Sequence, residues 1–209
     1  MKLFDNKIGK DMVNHARNIV GKHFGVAYAS RHRACCTADC MSACAEKARP
    51  NLGKHGVFVT LYKYPSLRLR GCIGFLDGTY PLNKAVVEAA KAAAFEDPRF
   101  KPLERDEFGG TIFEVSILTE PELITSDKAG KIQIGVDGII VEANGLRGVL
   151  LPKVAVEQKW GAKDFLKHTC LKAGLLEDAW MKEECNVYKF QAQAFRENKP
   201  GGEIICDKK

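Results

Sequence analysis

No stretch of the chain approaches the roughly 18 consecutive apolar residues that a membrane-spanning helix needs. The first ten residues, MKLFDNKIGK, carry charge throughout and hold no apolar segment, which argues against a secretory signal. P-loop, GxGxxG, GxSxG and HExxH patterns are all missing, which weakens nucleotide-binding, serine-hydrolase and zinc-protease readings. The expectation is a cytoplasmic protein with no membrane partner.

What remains is an ordinary globular composition, 45% hydrophobic and 28% charged over 209 residues, enough chain to bury a core without disulfides. In the reducing cytosol, eight cysteines read as free thiols, metal ligands or reactive groups rather than bridges. A net charge of +6 favours anionic partners, but the basic stripe and stacking aromatics of a nucleic-acid binder are not evident. Nucleic acid is therefore the weakest of the partner readings.

Met12, Val13, Ala16, Ile19, Val20 and Phe24 recur at helical spacing and predict an amphipathic first helix. A second helix is expected between Ala29 and Lys47, before Pro50 and Gly53 interrupt. HGVFVTLYKY alternates as a strand, and KYPS turns it into LRLRGCIGF, a hairpin. Leu82, Ala85, Val86, Ala89, Ala90 and Ala93 give a helix with a small-residue face, ended by Asp97-Pro98.

GGTIFEVSILTEP is a further strand, KIQIGVDGIIVE reads as a hairpin across Asp137-Gly138, and Gly148–Leu151 adds a short strand before Pro152. A helix from Lys163 to Lys172, closed by Gly174, and a final strand VYKFQAQAF complete the chain. Hairpins outnumber crossovers, so the expected class is α+β, with a mostly antiparallel sheet and flanking helices. Leu69-Arg70-Gly71 is echoed at Leu146-Arg147-Gly148, too short a match to establish duplication.

LRLRGCIGF holds the chemistry. Strict alternation places Leu67, Leu69, Gly71, Ile73 and Phe75 on one face and Arg68, Arg70, Cys72 and Gly74 on the other, so Arg70 and Cys72 become neighbours. Glycine costs a strand roughly 0.5–1 kcal/mol per position, so two of them imply a bulge or a close approach by a ligand. A fixed positive charge beside a cysteine favours the thiolate, the nucleophilic form. The opposing reading is a small buried thiol and an arginine paired within the sheet, with Glu114 of TIFEVSIL as its expected partner.

The runs LRGCIGF, TYPL, EDPRF, FEVSIL and GVLLP resemble the AMMECR family, over a stretch from about Gly56 to Phe195. The resemblance implies a single domain across residues 1–209, built from two intimately packed α+β subdomains, and an uncharacterised activity. It also implies a genomic association with Memo-type and radical-SAM proteins, which become candidate partners. Carried over by position, the family's hallmark residues are Leu69 to Gly74, then Asp97, Pro98 and Arg99, then Glu114.

The segment ACCTADCMSAC departs from the family. If helical, Cys36, Cys40 and Cys44 line one face with His32. They are candidate ligands for zinc or an iron–sulfur cluster. The stretch has no CxxC pair, and four ligands spread over about 18 Å of helix cannot all reach one ion. A free-thiol helix face is the competing expectation, and no cofactor is required by the sequence. His15, His23, His55 and His168 are scattered among charged residues, and Glu104-Arg105-Asp106-Glu107 reads as a solvated face.

The leading functional expectation is a cytosolic enzyme or enzyme subunit. In it Arg70 orients an anionic group, Cys72 is the candidate nucleophile, Glu114 is a further catalytic candidate, and Gly71, Gly74, Asp97 and Arg99 shape the binding site. The alternative is a protein-interaction module that docks a Memo-type or radical-SAM protein through the same surface.

Overall fold

The computed structural model describes residues 4–26, 55–76 and 78–207, so the helix expected between Ala29 and Lys47 and the candidate metal ligands Cys36, Cys40 and Cys44 lie outside the described residues. The described chain forms two compact units, one from residues up to Ile117 with Ala194–Asp207, the other from Leu118 to Gln193.

In the first unit, α1 (Asn6–His23) begins where the Asp5 carboxylate accepts the Lys7 N–H at 3.1 Å, a cap worth about 1 kcal/mol. Lys22 and His23 sit in its last turn, where positive charge complements the helix dipole. Strands β1 (Val57–Lys63) and β2 (Arg68–Phe75) form the expected antiparallel hairpin, and β1 pairs on its other side with β3 (Thr111–Leu118). Helix α2 (Leu82–Phe95) presents its alanine-rich face to Val57, Val59 and Leu61 of β1 and to Phe113, Val115 and Ile117 of β3 in one core, which Met12, Val13, Ala16 and Val20 of α1 complete. Short α3 (Arg105–Phe108) starts with a reciprocal capping box between Glu104 and Glu107.

The strict alternation expected of the hairpin's second strand fails at a bulge. Leu61 lies opposite Gly71 but Tyr62 opposite Leu69, so Arg70 is an extra residue in β2, a bulge. One extra residue reverses the alternation before it. Leu69 thus shares the face of Tyr62 and is 40% exposed, and Leu67, in the turn before β2, is 45% exposed, whereas Ile73 and Phe75 lie partly buried against the core.

In the second unit, the hairpin expected across Asp137-Gly138 is corrected. Residues 131–136 are not a strand; the Asp137 carboxylate accepts the Gln133 N–H at 2.9 Å and holds a turn that delivers the chain into β5 (Asp137–Ala143). The true hairpin joins β5 to β6 (Leu146–Leu150) through Asn144 and Gly145, with φ of 53° and 75°, as a primed turn requires. β5 also pairs with β7 (Asn186–Glu197), as does the short β4 (Glu122–Leu123). The sequence reading missed α4 (Pro152–Glu157) and the last strand β8 (Ile204–Asp207), which pairs with the end of β7 in the first unit. Helix α5 (Ala162–Lys172) closes at Gly174, φ +78°, as expected. The Lys128 ammonium donates to the carbonyls of Trp180, Lys182 and Cys185 at 2.8, 2.9 and 2.8 Å and fixes the turn before β7.

The repeated Leu-Arg-Gly has one cause in both places. A Cβ on Gly71 would stand 2.1 Å from the Ala93 carbonyl oxygen of α2, and one on Gly148 2.4 Å from the Thr169 carbonyl oxygen of α5. Each glycine lets the last turn of a later helix lie directly on the hairpin's second strand.

Candidate functional site

Among the described residues, the edge position of β2 in the sheet leaves the Cys72 backbone without a strand neighbour on one side, and a buried edge needs its polar groups paired. Asp97-Pro98-Arg99, just beyond α2, supplies the partner. The Asp97 carboxylate accepts the Cys72 N–H at 2.9 Å, while Arg99 Nη2 donates to the Cys72 carbonyl at 3.1 Å. Asp97 in turn accepts from Nε, Nη2 and the backbone N–H of Arg99 at 2.9, 2.7 and 3.1 Å. The two motifs that sequence reading set side by side are thus one clamp on a single residue.

The Arg99 hydrogen bonds hold the Asp97 carboxyl down at about 2 from its ordinary 3.8, against burial that would raise it and with help from the Cys72 N–H. The same pairing raises Arg99. A carboxyl depressed by folding adds stability that is complete above its unfolded value and lost as pH falls from about 4 to about 2. For the buried Asp97 that is about 2 kcal/mol. Urea unfolding of Asp97→Asn should show this loss at pH 7 and a shallower decline in acid than the unaltered protein; equal acid slopes would remove the clamp's contribution.

The Cys72 side chain faces a polar row on the sheet. Thr60 lies opposite Cys72 on one side and opposite Glu114 on the other. The Thr60 hydroxyl donates to Cys72 Sγ at 3.3 Å, and the Tyr62 hydroxyl donates to Glu114 at 3.2 Å. Thr60, Glu114 and Ser116 are buried and Cys72 half-buried.

Arg70 does not join this row. Its Nε and Nη2 bind both oxygens of Glu107 at 3.1 and 2.7 Å, Nη2 also donates to the Pro102 carbonyl, and the guanidinium lies over the Phe100 ring. The expected Arg70–Glu114 pair is therefore replaced by Arg70–Glu107. Glu107, also bridged by Lys63 at 3.1 Å, is held at about 2, chiefly by Arg70, and is no mere solvated charge. The guanidinium beside Cys72 is that of Arg99. The spaces at Gly71 and Gly74, expected to admit a ligand, are taken by the Ala93 carbonyl and by Val57 O and Phe58, the latter two 2.2 and 2.5 Å from a Cβ at Gly74.

Sequence reasoning missed Thr60 and Glu107. Thr60 announces itself only through register; Glu107 could have been found from the Glu104-x-x-Glu107 spacing of a capping box. Among the described residues no group of three metal-ligating side chains occurs. His168 stacks on Trp160 at 3.9 Å and His23 lies against Phe95, both uses outside the site.

The other described thiols separate by burial. Desolvation pushes Cys170 up to about 11 and Cys185 upward as well. Both should stay protonated and unlabelled by iodoacetamide at pH 8 until the protein is unfolded, while half-buried Cys72 and Cys206 react. Peptide mapping after timed alkylation checks this; early labelling of Cys170 would contradict its burial.

An antiparallel sheet flanked by helices, with a polar row crossing three strands and a half-buried thiol at one end of it, defines an α+β protein. The AMMECR1 family model matches residues 14–195, and the chain belongs to that family. Protein MJ0810 of Methanocaldococcus jannaschii is 48% identical over 156 residues, covering 73% of this chain and 78% of its own. A protein of Methanococcus aeolicus is 45% identical over 157 residues, covering 73% and 79%. The crystal structure of the uncharacterized protein PH0010 from Pyrococcus horikoshii superposes with a TM-score of 0.80 at 38% identity, over 98% of both chains.

Proposed function

We propose that the chain is an enzyme, or the catalytic part of one, in which Cys72 is a nucleophile acting on an electrophilic carbon. One observation carries the reading: the Cys72 backbone is clamped at both N–H and C=O while a buried hydroxyl donates to its sulfur. A hydrogen bond to sulfur fixes its direction, and a fixed backbone removes the entropy of aiming it. In the reaction the thiolate adds to a carbonyl carbon. The C–S bond forms as the carbonyl π pair moves to oxygen, which then takes a proton.

Glu114 lies two strands from Cys72, about 10 Å at the strand spacing of ~4.8 Å, too far to take the thiol proton directly. It suits a hydrogen-bond donor at the far end of the substrate. Arg70, sequestered by Glu107, supports the strand rather than orienting an anion.

The test is a panel of electrophilic fragments, such as chloroacetamides and acrylamides, incubated with the full chain and mapped by mass. Cys72 should be modified ahead of Cys206, with selected fragments saturating, and Cys72→Ala should lose those adducts. Modification of Cys206 with Cys72 untouched would end the enzyme reading.

A second reading rests on Tyr64, Leu67 and Leu69, which are large, exposed and grouped at the β1–β2 turn. It makes the hairpin tip a contact for a partner protein, for which the family resemblance offers Memo-type or radical-SAM proteins. Leu67→Asp with Leu69→Asp should abolish calorimetric binding to such a partner without slowing Cys72 labelling; undiminished binding would reject it.

A further inference from the structure

Arg99 has a two-sided geometry. Its Nε–Nη2 edge is committed to Asp97, and Nη2 also reaches the Cys72 carbonyl. The side chain is nevertheless 53% exposed, whereas that of Asp97 is 2% exposed. The ion pair is neutral in sum but oriented, with the carboxylate inward and spent on two backbone N–H groups and the guanidinium. Solvent beside Cys72 therefore meets the positive end. Nη2 spends both of its hydrogens on Asp97 and the Cys72 carbonyl, whereas among the described residues Nη1 donates to nothing, so its two N–H groups are left for a carboxylate oxygen.

We infer that the substrate attacked by Cys72 carries a carboxylate, which docks on Nη1 of the exposed Arg99 guanidinium. The inference rests on the reading of Cys72 as a reactive thiol and adds to it the class of molecule. Neutralisation by Asp97 argues for a monoanion, because a dianionic phosphate calls for more uncompensated positive charge than one half-spent guanidinium offers. Arg99 is thus a specificity-determining residue, a role the sequence placed at Arg70.

Two reagents of one size isolate the charge. Iodoacetate and iodoacetamide both alkylate by displacement, the sulfur bonding to the methylene carbon as iodide leaves, and differ in carrying a carboxylate or a neutral amide. The protein's overall +6 charge acts on every thiol, so Cys206, also half-buried, serves as the internal reference.

The iodoacetate-to-iodoacetamide rate ratio at Cys72 should exceed that at Cys206 by about three- to tenfold at low salt. It should fall toward the Cys206 value in about 0.5 M salt. Arg99→Gln should abolish the preference and Arg99→Lys, which keeps the charge, should retain much of it; the salt titration makes the test on unaltered protein, so a folding defect in a variant does not decide it. A ratio equal to that of Cys206, or one indifferent to salt, with iodoacetamide still labelling Cys72 readily, overturns the carboxylate inference alone. A Cys72 inert to both reagents overturns instead the enzyme reading beneath it.

Discussion

Glu197→Gln should lower the stability of the protein by about 3–5 kcal/mol, the largest effect expected of any single substitution. Glu197 and Arg17 are 1% and 2% exposed and meet at 2.5 Å through both guanidinium edge nitrogens, with Arg17 also donating to the Thr111 carbonyl. The same carboxylate accepts the Phe113 N–H at 3.0 Å, and the guanidinium lies over the rings of Phe108 and Phe113. One ion pair therefore ties α1, β3 and the end of β7 across 180 residues of chain. The amide leaves a buried positive charge without its counter-ion, and that desolvation is the cost. Replacing both partners, as Arg17→Met with Glu197→Leu, should cost much less than the two single changes added together, because no charge is then stranded. Urea unfolding of the four proteins of this cycle measures it. Additive losses would mean that the pair is solvated and the burial argument wrong.

Gly71→Ala should cost about 3 kcal/mol, the upper end of the overpacking range, although alanine ordinarily improves a strand. The added methyl would meet the Ala93 carbonyl oxygen at 2.1 Å, and Ala93 is main chain in the last turn of α2, which cannot swing aside as a flexible side chain would. The helix must lift or β2 must shift, and either motion disturbs the neighbouring Cys72. Gly148→Ala, facing Thr169 O at 2.4 Å, should show a loss of the same kind in the second unit. Thermal melts of both variants provide the measurement; a melting temperature unchanged or raised would mean that no helix packs on these glycines.

The contrast between these two predictions marks what the sequence could disclose. Helix α1, the β1–β2 hairpin, α2 and β3 were legible because apolar residues recur at the period of each element. Close approach was rightly the reason for Gly71, but the occupant is a helix backbone rather than a ligand. Pairing partners were not legible. A bulge at Arg70 is a property of two strands together, and no pattern within LRLRGCIGF distinguishes a bulged strand from a regular one. That single residue displaced the expected Arg70–Cys72 neighbourhood and led Arg70 to Glu107 instead of Glu114. The turn at Asp137-Gly138 misled because Asp-Gly is a strong hairpin signal, yet Asn144-Gly145 carried the same chemistry seven residues on.

The structural reading of Cys72 makes Asp97 and Arg99 its frame and Thr60 its hydrogen-bond donor. The Thr60 hydroxyl holds the sulfur in one direction at 3.3 Å, and its loss frees the side chain to leave the attacking position. The most direct measurement is therefore the rate of Cys72 alkylation by iodoacetamide at neutral pH in the unaltered protein and in Thr60→Val, with Cys206 as reference in both. A Cys72 faster than Cys206, and slowed severalfold by the loss of the hydroxyl while Cys206 keeps its rate, is what the account predicts. Equal Cys72 rates in the two proteins, or a Cys72 slower than Cys206 throughout, would contradict it.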